Sequence, residues 1–166
     1  MTDLNTLYDG DFVAWSKQQA DALRNAAHGG SNQLFDWMNL AEEIEGLGIS
    51  QRSALGSQIR RIIHRLLKLE HSPASEPRRG WEDSIADARS EIEDLLDRSP
   101  SLTREVNAEI AKQTKRAADR ALRDLQRRGE IDPATMSQLR AACCTEEQIL
   151  SDWFPEERRN SAGTPY

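Results

Sequence analysis

The 166-residue chain predicts an all-α protein, and three observations carry that expectation. Apolar residues recur every three or four positions along most of the chain. No alternating run of useful strand length occurs, and breakers are sparse, with 9 glycines and 6 prolines. At this length one domain is the default. The pattern predicts a single helical bundle over residues 1–155, with about five main helices plus one or two short C-terminal ones. A mobile tail follows over 156–166.

Asp11 is a candidate N-cap, and Phe12, Trp15, Ala22, Leu23 and Ala26 then repeat at helical spacing until "HGG". Asp36 can cap the next helix, whose apolar positions Leu40, Ile44 and Leu47 define a predicted buried direction. Gly46 and Gly48 weaken or kink it. Leu55, Ile59, Ile62, Ile63, Leu66 and Leu69 form the strongest stripe in the chain. The spacing leaves open whether residues 37–71 make one helix or two. After the loop "SPASEPRRG", a fourth stripe runs through Trp81, Ile85, Ala88, Ile92 and Leu95. Ser99 then offers a cap and Pro100 a first helical position for a helix through Leu102, Val106, Ile110, Ala117, Ala121 and Leu125. Gly129 suits the position just past its end. Asp132-Pro133 repeats the cap-and-proline signal, and Thr145 with Gln148 reads as a capping box.

The formal charge of −6 weighs against wholesale nucleic-acid binding while permitting a local basic patch. The N-terminus lacks the basic and apolar regions of a secretory signal, and no run approaches the roughly 18 apolar residues that span a bilayer. Adjacent Cys143 and Cys144 make a poor structural disulfide. These features predict a cytoplasmic protein with no membrane partner.

"WMNLAEEIEGLG" concentrates three glutamates within four residues. With Leu40 at zero and about 100° per residue, Glu42 points outward and Glu45 lies well to one side. Glu43 falls near the boundary, where its carboxylate can meet a partner. A solvated face is the bland account. The alternative is acid–base or metal chemistry using Glu43 with His64 or His71 brought together by folding. Di-iron bundles need Glu-x-x-His on two helices, and the residues three before His28, His64 and His71 are Asn25, Arg61 and Lys68. No metal or other cofactor is therefore expected. His64 falls on the polar side of its stripe, where it reads as a solvated histidine. A thiolate at Cys143 or Cys144 would be favoured by the helix start at Thr145, although a small semi-buried residue is the commoner role.

Asp83, Asp87, Glu91, Asp94 and Asp97 occupy the face opposite the fourth stripe. Lys112, Arg116, Arg120, Arg123 and Arg127 form a cationic stripe on the following helix, able to face acidic side chains or to track phosphates. Asp119 and Asp124 interrupt it and no aromatics interleave, which disfavours nucleic acid. The alanines 108, 111, 117, 118 and 121 permit close helix approach. Trp15, Trp37 and Trp81 read as core anchors, and Trp153 sits beside Phe154.

Read in order, "YDGDFVAW", "LAEEIEGLG", "RLLKLE" at Arg65–Glu70, "WEDSIADAR", "SPSL" at Ser99–Leu102 and "EEQILSDWFP" resemble the bacterial domain-of-unknown-function 29 family along nearly the whole chain. The resemblance implies an all-helical bacterial protein without an assigned activity, and it carries over no functional residues. Relative to the family pattern, Arg65 stands where a histidine precedes "LLK", and "ACCT" replaces Cys-Pro-Tyr-Thr. With no complete catalytic set legible, the expectation leans away from an enzyme. It points to an interaction module for an unidentified protein partner or for a second copy, with the 112–127 stripe as its surface.

Overall fold

The computed structural model describes residues 4–29 and 35–156. The fold class is all-α: seven α-helices and one 3-10 helix, with no strand among the described residues. The helices are α1 (Leu4–Gly10), α2 (Phe12–His28), α3 (Trp37–His71), α4 (Arg78–Arg98), α5 (Val106–Arg128), α6 (Pro133–Arg140) and α7 (Glu146–Leu150). The 3-10 turn Pro100–Glu105 precedes α5. Residues 37–71 are thus one continuous helix. Of the predicted tail, only Glu156 is described. No helix among the described residues is long and apolar enough to cross a membrane.

The chain groups into two compact units, Met1–Gln58 with Ser90–Glu109 and Ile59–Arg89 with Ile110–Tyr166. In the first unit, Asp11 caps α2 through a bond from the Ala14 amide (2.9 Å). The same carboxylate accepts from the Ser101 amide (2.7 Å) and the Ser101 hydroxyl (2.9 Å), pinning α2 to the 3-10 turn. Ser99 departs from its predicted role. It makes no cap for its own helix and instead accepts the Val13 N–H at 3.3 Å. Pro100 does occupy the first turn, but of a 3-10 helix, and α5 begins only at Val106. The buried apolar residues of this unit are Val13, Ala20, Ala41, Leu55, Ile92, Leu102 and Val106.

The buried direction of the first half of α3 differs from the predicted one. Ala41 and Gly48 are buried, Ile44 is half-buried, and Leu40 and Leu47 are 42% and 44% exposed. Small residues let α2 approach closely: a Cβ on Gly48 would overlap Ser16 Oγ, which is held by a 3.0 Å bond to the Val13 carbonyl. A Cβ on Gly46 would meet nothing.

In the second unit, Ile59, Ile62, Ile63, Leu66, Leu67 and Leu69 of α3 are buried, with Trp81, Ile85 and Ala88 of α4 and Ile110, Ala117, Ala118, Ala121 and Leu125 of α5. The alanine face is thereby mostly spent inside the fold, with Ala108 and Ala111 left exposed. The caps match their signals. Asp132 accepts from the Thr135 amide, Thr145 and Gln148 form a capping box, and Gly129 adopts φ +68°. The short α7 is gripped at its other end by Arg89, which donates to the carbonyls of Ile149 (3.0 Å), Gln148 (3.0 Å) and Trp153 (2.7 Å). Of the tryptophans, Trp81 is buried and Trp153 exposed. Trp15 is half-buried against Tyr8 and Phe12, and Trp37 half-buried against Phe35.

The two glycines of α3 respond oppositely to a methyl group. Gly46→Ala raises stability by about 1 kcal/mol through helix propensity. Gly48→Ala forfeits that gain, because Ser16 Oγ must turn away from its buried acceptor at a cost of about 1–3 kcal/mol. Adding Ser16→Ala to Gly48→Ala restores much of the loss. Urea denaturation of the four proteins measures these differences.

Candidate functional site

The strongest concentration of buried polar chemistry lies in the second unit, where α3 meets α5. His64 and Lys68 are one turn apart on α3, so both face the same neighbour. His64 Nε2 lies 2.9 Å from Asp124 Oδ2, and Lys68 Nζ lies 3.7 Å from the same oxygen. A carboxylate only accepts hydrogen bonds, so the Nε2 of His64 carries the proton. Lys68 Nζ also sits 4.5 Å from the ring centroid of Trp81, a cation–π contact that helps compensate its burial.

Burial dominates the protonation of this group. His64 is lowered to about 4, desolvation outweighing its bond to Asp124, so the ring is neutral at physiological pH. Desolvation likewise lowers the Lys68 ammonium, with Asp124 opposing. Burial pushes the Asp124 carboxyl up, but the hydrogen bond from His64 and the charges of Lys68 and Arg120 outweigh it and hold it below its ordinary value. Asp124 is thus the shared anion of the group, hydrogen-bonded by His64 and paired at longer range with Lys68. His64, expected on a solvated face, is instead 4% exposed. The physical reason is that this segment of α3 is buried almost all round, so no wide polar side exists.

Glu43 is exposed in the first unit, whereas His64 and His71 are buried in the second, 21 and 28 residues further along α3. The boundary glutamate is Glu45, half-buried and paired with Arg24. His71 is buried and lines a pocket of about 300 Å³ with Leu66, Leu67, Glu70, Cys143, Cys144 and Trp153. Burial first, then Cys143 and Glu70, push the Cys144 thiol up to about 11, so it is no thiolate at neutral pH. The helix start at Thr145 does not overcome that desolvation. Among the described residues no group of three or more His, Cys, Asp or Glu is placed to hold a metal ion.

Lys112, Arg116, Arg120, Arg123 and Arg127 are all exposed on α5. The sequence reading missed Lys68 and Asp124 as a pair and Arg65 as their neighbour. A signal for the first existed: Lys68 stands between Leu66, Leu67 and Leu69 in a strongly apolar stripe, so a buried charge there needs an anion from another helix.

Two expectations follow from this group. Because the folded pKa of His64 lies below its ordinary 6.5, the unfolded chain binds the extra proton. Its contribution is present above pH 6.5 and is lost as pH falls toward about 4, at no more than about 1.4 kcal/mol per pH unit. His64→Gln, which keeps a donor for Asp124, flattens that part of a stability–pH curve measured by urea denaturation. Separately, Asp124→Ala costs about 3–5 kcal/mol by stranding the Lys68 charge, whereas Lys68→Met costs less; thermal and urea unfolding distinguish the two.

Comparison with known proteins agrees with this all-helical architecture. An alpha-helical protein of unknown function from Rhodospirillum rubrum ATCC 11170, known from its crystal structure, superposes with a TM-score of 0.66 at 22% identity. The match covers 89% of this chain and 98% of that one. At that identity the likeness concerns the fold alone. No curated protein matches the chain. The family model "Domain of unknown function DUF29" matches residues 7–154, and the chain belongs to that family.

Proposed function

We propose that the protein is a non-enzymatic interaction module that binds another protein. The observation that carries this reading is the outward apolar set on the first half of α3, where Met38, Leu40, Leu47 and Ile49 are 42–53% exposed. Leu40 and Leu47 lie on one flank of the buried direction and Met38 and Ile49 on the other. Glu42 and Glu43 stand exposed among them. The Leu40 and Leu47 flank, with Glu43 beside it, suits a partner whose contact face is apolar with basic residues around it. The α5 stripe, Lys112 to Arg127, supplies a second surface of opposite sign.

Charge is divided accordingly along the chain. The first unit carries 14 acidic and 5 basic residues, the second 14 acidic and 17 basic. A second copy therefore offers both signs, and self-association is one form of this reading. The neutral His64 committed to Asp124 and the protonated Cys144 support binding over catalysis.

Chemical cross-linking and affinity purification at native abundance, read by mass spectrometry, test the reading. A stoichiometric protein partner or a homo-oligomer is expected. Leu40→Glu with Leu47→Glu abolishes the complex while leaving the melting temperature unchanged, because both side chains are exposed. A strict monomer with no captured protein overturns the proposal.

A further inference from the structure

In the second unit, α3 and α5 run parallel: Arg60 bonds Gln113 at 3.4 Å, His64 bonds Asp124, and Ser72 bonds Glu130 at 2.6 Å, so contacts advance together along both helices. Asp124 reaches both His64 and Lys68, so its level lies between them. One turn earlier on α5, Arg120 lies between the levels of Arg61 and Arg65. Rotation places these arginines on one side of the seam. On α3, Arg61 and Arg65 lie about 60° and 100° from His64 in one sense. On α5, Arg120 and Arg116 lie about 40° and 80° from Asp124 in the opposite sense. For parallel neighbours, opposite senses are the same side.

The positive charges there outnumber the one carboxylate that faces them. Arg61 and Arg120 are exposed and Arg65 is half-buried, with its Nε atom enclosed and without a hydrogen-bond partner among the described residues. Arg65 feels Arg120 and Arg61 as like charges, and Asp124 is the carboxylate that opposes them. Asp124 is already engaged by His64 and Lys68. Three guanidinium groups beside one committed carboxylate call for an anion from outside the chain. A single carboxylate has two oxygens and one charge. A tetrahedral dianion supplies more acceptors and twice the charge, which suits several converging guanidinium forks.

We propose that the side of the α3–α5 seam formed by Arg61, Arg65 and Arg120 is a binding site for a phosphate-type dianion. All three arginines belong to one unit of one chain, so the site is complete without a partner, although Arg120 also belongs to the α5 stripe. Arg65 supplies the half-buried anchor, and Arg61 and Arg120 close around the remaining oxygens.

The test uses the purified full chain alone, so its failure leaves the protein-binding reading standing. Inorganic phosphate is titrated against sodium chloride at matched ionic strength, with thermal shift and isothermal calorimetry as readouts. A saturable, stoichiometric response to phosphate beyond that of chloride is expected. Arg120→Gln, at an exposed position, and Arg65→Gln each weaken it by about tenfold or more. Arg140→Gln, which removes an exposed arginine of α6, leaves it unchanged. Tighter binding of glycerol phosphate than of inorganic phosphate assigns the site to phosphate monoesters; equal or weaker binding assigns it to the free ion. A response to phosphate no larger than to chloride, or one that survives both substitutions, overturns the proposal.

Discussion

The organisation of the second unit depends on one constraint: a cation enclosed by apolar side chains must be answered by an anion. Lys68 lies in the most thoroughly buried segment of α3, flanked by Leu66, Leu67 and Leu69. Its charge is met by Asp124 on α5 and by the face of Trp81 on α4. Ordinary apolar packing would tolerate several rotations of α5 against α3. Sharing one carboxylate between His64 and Lys68 tolerates far fewer, and so fixes both register and rotation. The exposed arginines along the seam inherit their placement from that choice.

Local signals in the sequence were legible because they need only a few neighbouring residues. Asp11, Asp132 and Thr145 cap the helices that follow them, and Gly129 takes the left-handed turn. The fold class and the family were equally accessible from periodicity and ordered motifs. What failed was orientation where two faces compete. Leu40, Ile44 and Leu47 form a fair apolar stripe, yet α3 turns Ala41 and Gly48 inward, because close contact with α2 at Ser16 rewards small residues over large ones. His64 was misplaced for a related reason. The angular argument assumes one wet side, and here α3 is enclosed on nearly every side. Ser99 also answers to a distant backbone amide, Val13, which no local pattern reveals.

The candidate site was only partly readable. The cationic stripe on α5 could be counted from its spacing, and its exposure follows. Its relation to Arg61 and Arg65 could not, because it rests on the parallel pairing of α3 with α5 in the second unit. The acidic residues of α4, Asp83 to Asp97, behave as the arithmetic requires and remain solvated. The vicinal cysteines and His71 lie together along one pocket, a proximity that spacing alone does not announce.

The parallel course of α3 and α5 has an electrical corollary. Helices aligned in the same direction finish with their unsatisfied carbonyls side by side, and the tie from Ser72 to Glu130 marks how near those ends are. Two negative poles are thereby gathered into one place. Lys68 and His71 occupy the last turn of α3, and Arg127 and Arg128 that of α5, while Arg78 donates directly to the Leu69 carbonyl at 2.8 Å. Part of the basic excess of this unit is thus the counter-charge that lets two like macrodipoles terminate together.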